Sequence, residues 1–162
     1  MATKNKLSVF SIVMIAIAAV GLILAIVGVC IDYFSITVEL LGHKEVETFK
    51  LFFEQSGEQH TDVPVAAVQA FAILSLIAAA ACTGVVVLSA LGLVKVKFLV
   101  KIVIAAIAVI FAILAISLGY AYIGQATKSA GAAASQTGAL AAGGWLVPIG
   151  AILSAVPVVL QK

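Results

Sequence analysis

The sequence predicts an all-α transmembrane fold, a four-helix antiparallel bundle with a small extracellular β-hairpin in its first outer loop. Three observations lead there. Apolar residues make up 64% of the 162-residue chain and charged residues 10%, with a mean hydropathy of +1.29, whereas soluble domains are about half apolar and a quarter charged. The apolar residues gather into four runs, each longer than the ~17 residues needed to cross a bilayer. All seven acidic residues lie between the first two runs. The length suits a single tetraspan membrane domain over residues 1–162, with one modest loop.

The first run covers about residues 7–31. Lys4 and Lys6 precede it as they would in a secretory leader, but the run is too long for a leader's apolar region and no small-x-small cleavage site follows. Val29 stands where lipoprotein processing needs a small residue before Cys30. The run is therefore read as a retained span.

Residues 32–63 form the outer loop. Phe34, Ile36, Val38 and Leu40 alternate with Ser35, Thr37 and Glu39, and Phe49, Leu51 and Phe53 repeat the alternation, the pattern of half-buried strands. A turn at His43 and Lys44, with Gly42 at its corner, pairs Phe34 with Phe53, Ile36 with Leu51 and Val38 with Phe49. The other face then sets Thr37 opposite Lys50 and Glu39 opposite Thr48, with Glu39 and Lys50 diagonal. A lone hairpin is marginal in water and needs a cover for its apolar face, which the helices are expected to supply.

The second span, about 65–94, would run ~45 Å as helix against a ~30 Å hydrocarbon core, so it tilts or projects outward. Thr61 or Asp62 can cap it, Pro64 suits its first turn, and Gln69 falls at the interface as a structural residue. Gly92 closes it, and the short 95–101 turn makes spans two and three a tight pair. The third span is about 98–123, with Tyr120 and Tyr122 as anchors at its outer end. Residues 124–138 either extend a helix or form a flexible link. The fourth span is about 139–160, with Trp145 as an anchor, a kink at Pro148, and Pro157 helping to end it. Small residues, among them Ala78 to Ala81 with Gly84, and Ala139, Ala142, Gly143, Gly144 and Gly150, allow close helix approach.

Every cationic residue except histidine is a lysine. Lys4, Lys6, Lys95, Lys97, Lys101 and Lys162 share one side, while Lys44, Lys50 and Lys128 are on the other. The positive-inside bias places both termini in the cytoplasm and residues 32–63 outside a cell or plasma membrane. Seven acidic residues against two lysines give that loop a formal charge of −5. The overall +2 thus implies no nucleic-acid partner. The lysines read as topology signals and contacts with anionic membrane lipid.

Chemistry is sparse. None of the four spans contains Asp, Glu, His or Arg, which argues against a proton pump or an ion-coupled transporter. Lys101 is near enough to the inner face to snorkel. Cys30 and Cys82 fall at opposite depths, too far apart for a disulfide. His60 lies beside Glu58 and Asp62 in a spacing that matches no metal motif. Ser75, Ser89, Ser117 and Ser154 have no base near them. No enzyme activity, metal or cofactor is expected.

The four spans, the inside termini, the "YFSI…FKLFF" strand pattern and the shorter second outer loop together resemble the claudin and peripheral-myelin-protein-like membrane proteins. The resemblance covers Leu7 to Leu160 and implies shared architecture. The family's first-loop tryptophan, Gly-Leu-Trp and paired cysteines are absent between Asp32 and Val63, so no site residue is carried over. The expected function is a non-enzymatic scaffold whose acidic outward hairpin meets a partner or another copy, through Glu39, His43, Lys44, Glu45, Glu47 and Lys50. The alternative is a channel-forming or transport-accessory subunit, with Ser75, Thr83 or Ser89 on a wet axis.

Overall fold

The computed structural model describes residues 8–40, 43–52, 64–128 and 135–161. It contains helices α1 (Val9–Cys30), α2 (Val65–Ala90), α3 (Phe98–Lys128) and α4 (Ala142–Leu160) and strands β1 (Asp32–Leu40), β2 (His43–Lys50) and β3 (Ser135–Leu140). All four helices are long and apolar enough to cross a membrane. The expected spans recur, with three shifts: α2 ends at Ala90, four residues short of residue 94, α3 runs five residues past residue 123, and the fourth helix starts at Ala142 because residues 135–140 are a strand.

Local chemistry accounts for the helix ends. Ser8 caps α1, its Oγ accepting from the Ser11 amide at 3.1 Å. Pro64 occupies the cap position of α2 and not its first turn, and its carbonyl accepts from the Ala67 amide at 2.9 Å. The proposed caps Thr61 and Asp62 lie outside the described residues. Gly92 ends α2 with a φ of 71°, a left-handed conformation that glycine adopts without strain. The Leu93 amide reaches the Leu88 carbonyl at 3.0 Å and the Gly92 amide reaches that of Ser89 at 3.1 Å, the paired bonds of a Schellman cap. Pro148 and Pro157 both lie within α4, which continues three residues past Pro157.

α1 packs on α4 and α2, and α3 packs on the same two helices, while α2 and α4 also meet across the bundle. The α1–α4 seam is made of small residues. A methyl group at Gly21 would stand 2.7 Å from the Gly150 carbonyl oxygen, and one at Gly28 would stand 2.8 Å from the Val147 amide nitrogen. Such contact lets backbones touch where apolar tails supply no hydrophobic drive. The Ala18 carbonyl accepts from Thr83 Oγ1 at 3.1 Å and from Ser154 Oγ at 3.2 Å. One backbone oxygen thereby joins α1, α2 and α4.

The sheet has three antiparallel strands in the order β2-β1-β3. The third strand corrects the expected helix or flexible link: "SQTGAL" has little apolar content, so no strand signal rises above its background. β3 pairs Phe34 with Leu140, Ile36 with Gly138 and Val38 with Gln136. The hairpin register also differs from expectation. Phe34 lies opposite Phe49, Ile36 opposite Glu47 and Val38 opposite Glu45, a slide of four residues that keeps the faces but changes every partner. His43 and Lys44 open β2 rather than forming the turn. Leu51, which was to face Ile36, has left the sheet and is fully buried. The mismatch has a physical cause: the pairing assumed that β2 must supply the apolar cover, whereas β3 and the helices supply it.

Candidate interaction surface

At the base of the sheet, Tyr33, Phe34, Leu51, Tyr122, Leu140, Val68 and Val147 form one buried cluster. The Phe34 ring lies 5.0 Å from that of Tyr33 and 5.4 Å from that of Tyr122. Strict alternation would send Tyr33 and Phe34 to opposite faces. A bulge between Asp32 and Phe34 leaves Tyr33 as the extra residue and turns both rings into the core, the local re-aiming that bulges provide. Past the bulge, the Tyr33 carbonyl accepts from the Ala141 amide at 3.0 Å. Gly138 lies on Ile123 and Thr127 of α3, so the outermost turns of α3 cover the sheet. Gln69 Nε2 donates to the Leu51 carbonyl at 2.9 Å, pinning the exit of β2 to α2 in the structural role expected of it.

Beyond this base the sheet is open. His43, Lys44, Glu45, Val46, Glu47 and Thr48 are all exposed. Glu39 and Lys44 are directly opposed and form the one ion pair among the described residues, at 3.8 Å with both side chains largely in solvent. A pair of that kind contributes at most about 1 kcal/mol. The expected contact residues therefore divide between two faces. Glu39 and Lys44 share the face of Thr37 and Val46, while His43, Glu45 and Glu47 lie on the face of Ile36 and Val38. Lys50 stands beyond the bulge, paired with Asp32 and not opposite Thr37. Val46, 63% exposed, was not singled out by sequence reasoning; its signal was a β-branched residue flanked by two glutamates.

Burial pushes the Tyr33 hydroxyl pKa from 10.0 up to about 12, and the hydroxyl oxygen has no hydrogen-bond partner. The folded state holds this proton more tightly than the unfolded chain. Folding stability is therefore untouched by ionisation of this group below pH 10 and falls as the pH rises from there through about 12. Replacing Tyr33 with Phe removes an uncompensated polar group, so stability should rise by about 1 kcal/mol and this alkaline limb should flatten. Denaturant titrations from pH 8 to pH 12 check both, and a less stable Y33F protein would show that the hydroxyl is bonded after all.

The remaining candidates are placed as follows. Ser75 Oγ donates to the Phe71 carbonyl at 2.8 Å inside the bundle, and Thr83 is held by Ala79 and Ala18. The Ser89 hydroxyl is buried. Ser75 and Thr83 are thus held by bonds inside the bundle and not turned onto a common outer face. Cys30 is exposed, Cys82 is buried, and neither forms a disulfide. His60, Glu58 and Asp62 lie outside the described residues, among which no cluster of three potential metal ligands occurs. Lys101, at the end of the bundle away from the sheet, is 7% exposed, and its Nζ donates to the Gln161 carbonyl at 2.8 Å. A cation there suits the C-terminus of α4. No protein-family model matches the chain, and no curated protein matches it.

Proposed function

We propose that this chain is a non-enzymatic scaffold or interaction protein of the cell membrane, with both termini cytoplasmic and residues 32–63 outside. The sheet would stand clear of the lipid, and Lys95, Lys97 and Lys101 lie at the opposite end of the bundle, which supports that orientation. The likeness to claudin and peripheral-myelin-protein-like proteins is kept at the level of architecture. The observation that carries the reading is β2: an edge strand with six consecutive exposed residues, 43–48. Edge strands recruit further strands through their outward amides and carbonyls.

The charge pattern favours a different protein over a second copy. Two-fold antiparallel pairing of β2 with itself has three central registers. One sets Glu45 against Glu45, the next sets Glu45 against Glu47 twice, and the third sets Glu47 against Glu47 and Lys44 against Lys50. Directly opposed like charges are destabilising. A strand with Lys or Arg facing Glu45 and Glu47 meets no such penalty. The channel-forming or transport-accessory alternative has less support, since the hydroxyls it needs are engaged or buried within the bundle.

Photocrosslinkers placed at Val46 and, as a control, at Thr37 on the central strand test the proposal in native membranes. Adducts to a second protein from position 46 and not from 37 are expected. Adducts only between copies would replace the partner with self-association, and no adduct from either position would end the reading.

A further inference from the structure

The exposed side of the α3–α4 contact holds an apolar groove of about 570 Å³, lined in part by Ile102, Ala106, Ile110, Ile152, Val156 and Leu160. From Ile102 to Ile110 it follows α3 for eight residues, or ~12 Å of helix rise. That is close to half of a ~30 Å hydrocarbon core, so the groove matches one leaflet, the one at the lysine end.

The mouth of the groove is polar. Ile102 and Leu160 lie next in sequence to Lys101 and Gln161, which are 7% and 6% exposed. Val86, Ala105 and Val158 pack in one cluster, and Ser89, Lys101 and Gln161 each lie one helical turn beyond a member of it. Ser89 Oγ and Gln161 Oε1 are buried without a hydrogen-bond partner among the described residues. Among the described residues the Lys101 ammonium donates to the Gln161 carbonyl, one of the three hydrogen bonds it can donate. Lys95 and Lys97 are exposed in the adjoining turn. Buried polar atoms left unpaired are costly, and Gln161 Oε1 belongs to the residue whose carbonyl holds the Lys101 ammonium, next to the end of the apolar groove.

We propose that this groove and its polar mouth bind one anionic phospholipid, an acyl chain lying between α3 and α4 and the headgroup phosphate engaged by Lys101 and Ser89, with Lys95 and Lys97 adding charge. The inference rests on the membrane-spanning reading above. Lys101 and Ser89 supply donors to the phosphate oxygens, and the amide of Gln161 can turn its nitrogen toward them.

Native mass spectrometry of the full chain with dioleoylphosphatidylglycerol, dioleoylphosphatidylcholine or inorganic phosphate tests it. The expected result is one phosphatidylglycerol bound about tenfold more tightly than phosphatidylcholine, a preference on the scale of one to two lysine contacts, and no retention of free phosphate. K101Q should remove most of the preference, weakening phosphatidylglycerol more than phosphatidylcholine. Ala106 is exposed, so A106F fills the groove without entering the core and should weaken both lipids. Equal binding of the two lipids by the unaltered protein, or an affinity for both lipids that A106F leaves unchanged, overturns the proposal. Carbonate extraction separates the two readings: a protein released by carbonate fails as a spanning protein, whereas one retained without lipid preference fails only here.

Discussion

G150L should separate α1 from α4 and leave the chain unable to hold its bundle in mild detergent. A Cβ at Gly150 would meet the Gly21 carbonyl oxygen and stand 2.6 Å from the Ala25 amide nitrogen. Those atoms belong to a helix backbone, which cannot swing away as a long side chain can. Overpacking of a well-filled core costs about 1–3 kcal/mol and sometimes more, and a leucine against bare backbone belongs at the upper end. The damage should spread to α2, because the Ala18 carbonyl shared by Thr83 and Ser154 sits in the same seam. Thermal unfolding and size-exclusion profiles read the effect. G84L is the matched control, since no atom lies within 4 Å of a Cβ at that position. Equal stability of the two variants would mean that α1 and α4 do not pack as described.

Phe34→Ala should cost about 3–5 kcal/mol, the usual range for emptying a buried aromatic site. Phe34 is 2% exposed and packs between the Tyr33 and Tyr122 rings, where the sheet meets α3. Its loss should free the sheet before it affects the helices. Hydrogen exchange would then show β1 and β3 amides losing protection while the α1 and α4 cores keep theirs. Uniform loss of protection along the chain would make sheet and helices a single cooperative unit.

The legible parts of this chain were those in which one residue type does one job over many positions. Runs of Leu, Ile, Val and Ala marked all four helices, and Gly92 marked the end of α2 because few other residues tolerate its backbone angle. The start of α2 beside Pro64 was equally plain. The sheet was only half legible. Period-two alternation located β1 and its faces, but it set the second strand on Phe49, Leu51 and Phe53, whereas β2 is His43–Lys50; register depends on what covers the apolar face, and that cover came from Leu140 and Ile123, both distant in sequence. β3 was illegible for the same reason: Gln136, Thr137 and Gly138 are strand residues by virtue of β1 beside them, not by any propensity of their own. The bulge at Tyr33 likewise answers to the core beneath it. The six expected contact residues are exposed on the sheet, and their division between two faces follows from the register.

The position of β1 between strands from two different inter-helix segments bears on how the protein is made. Ser35 Oγ donates to the Ala139 carbonyl, 104 residues further along, and the whole β1–β3 edge is equally remote in the chain. At about 5–20 residues per second of synthesis, roughly 5 to 20 seconds separate completion of Lys50 from completion of Leu140. Throughout that interval Phe34 and its neighbours stand without Leu140, the part of their cover that β3 brings.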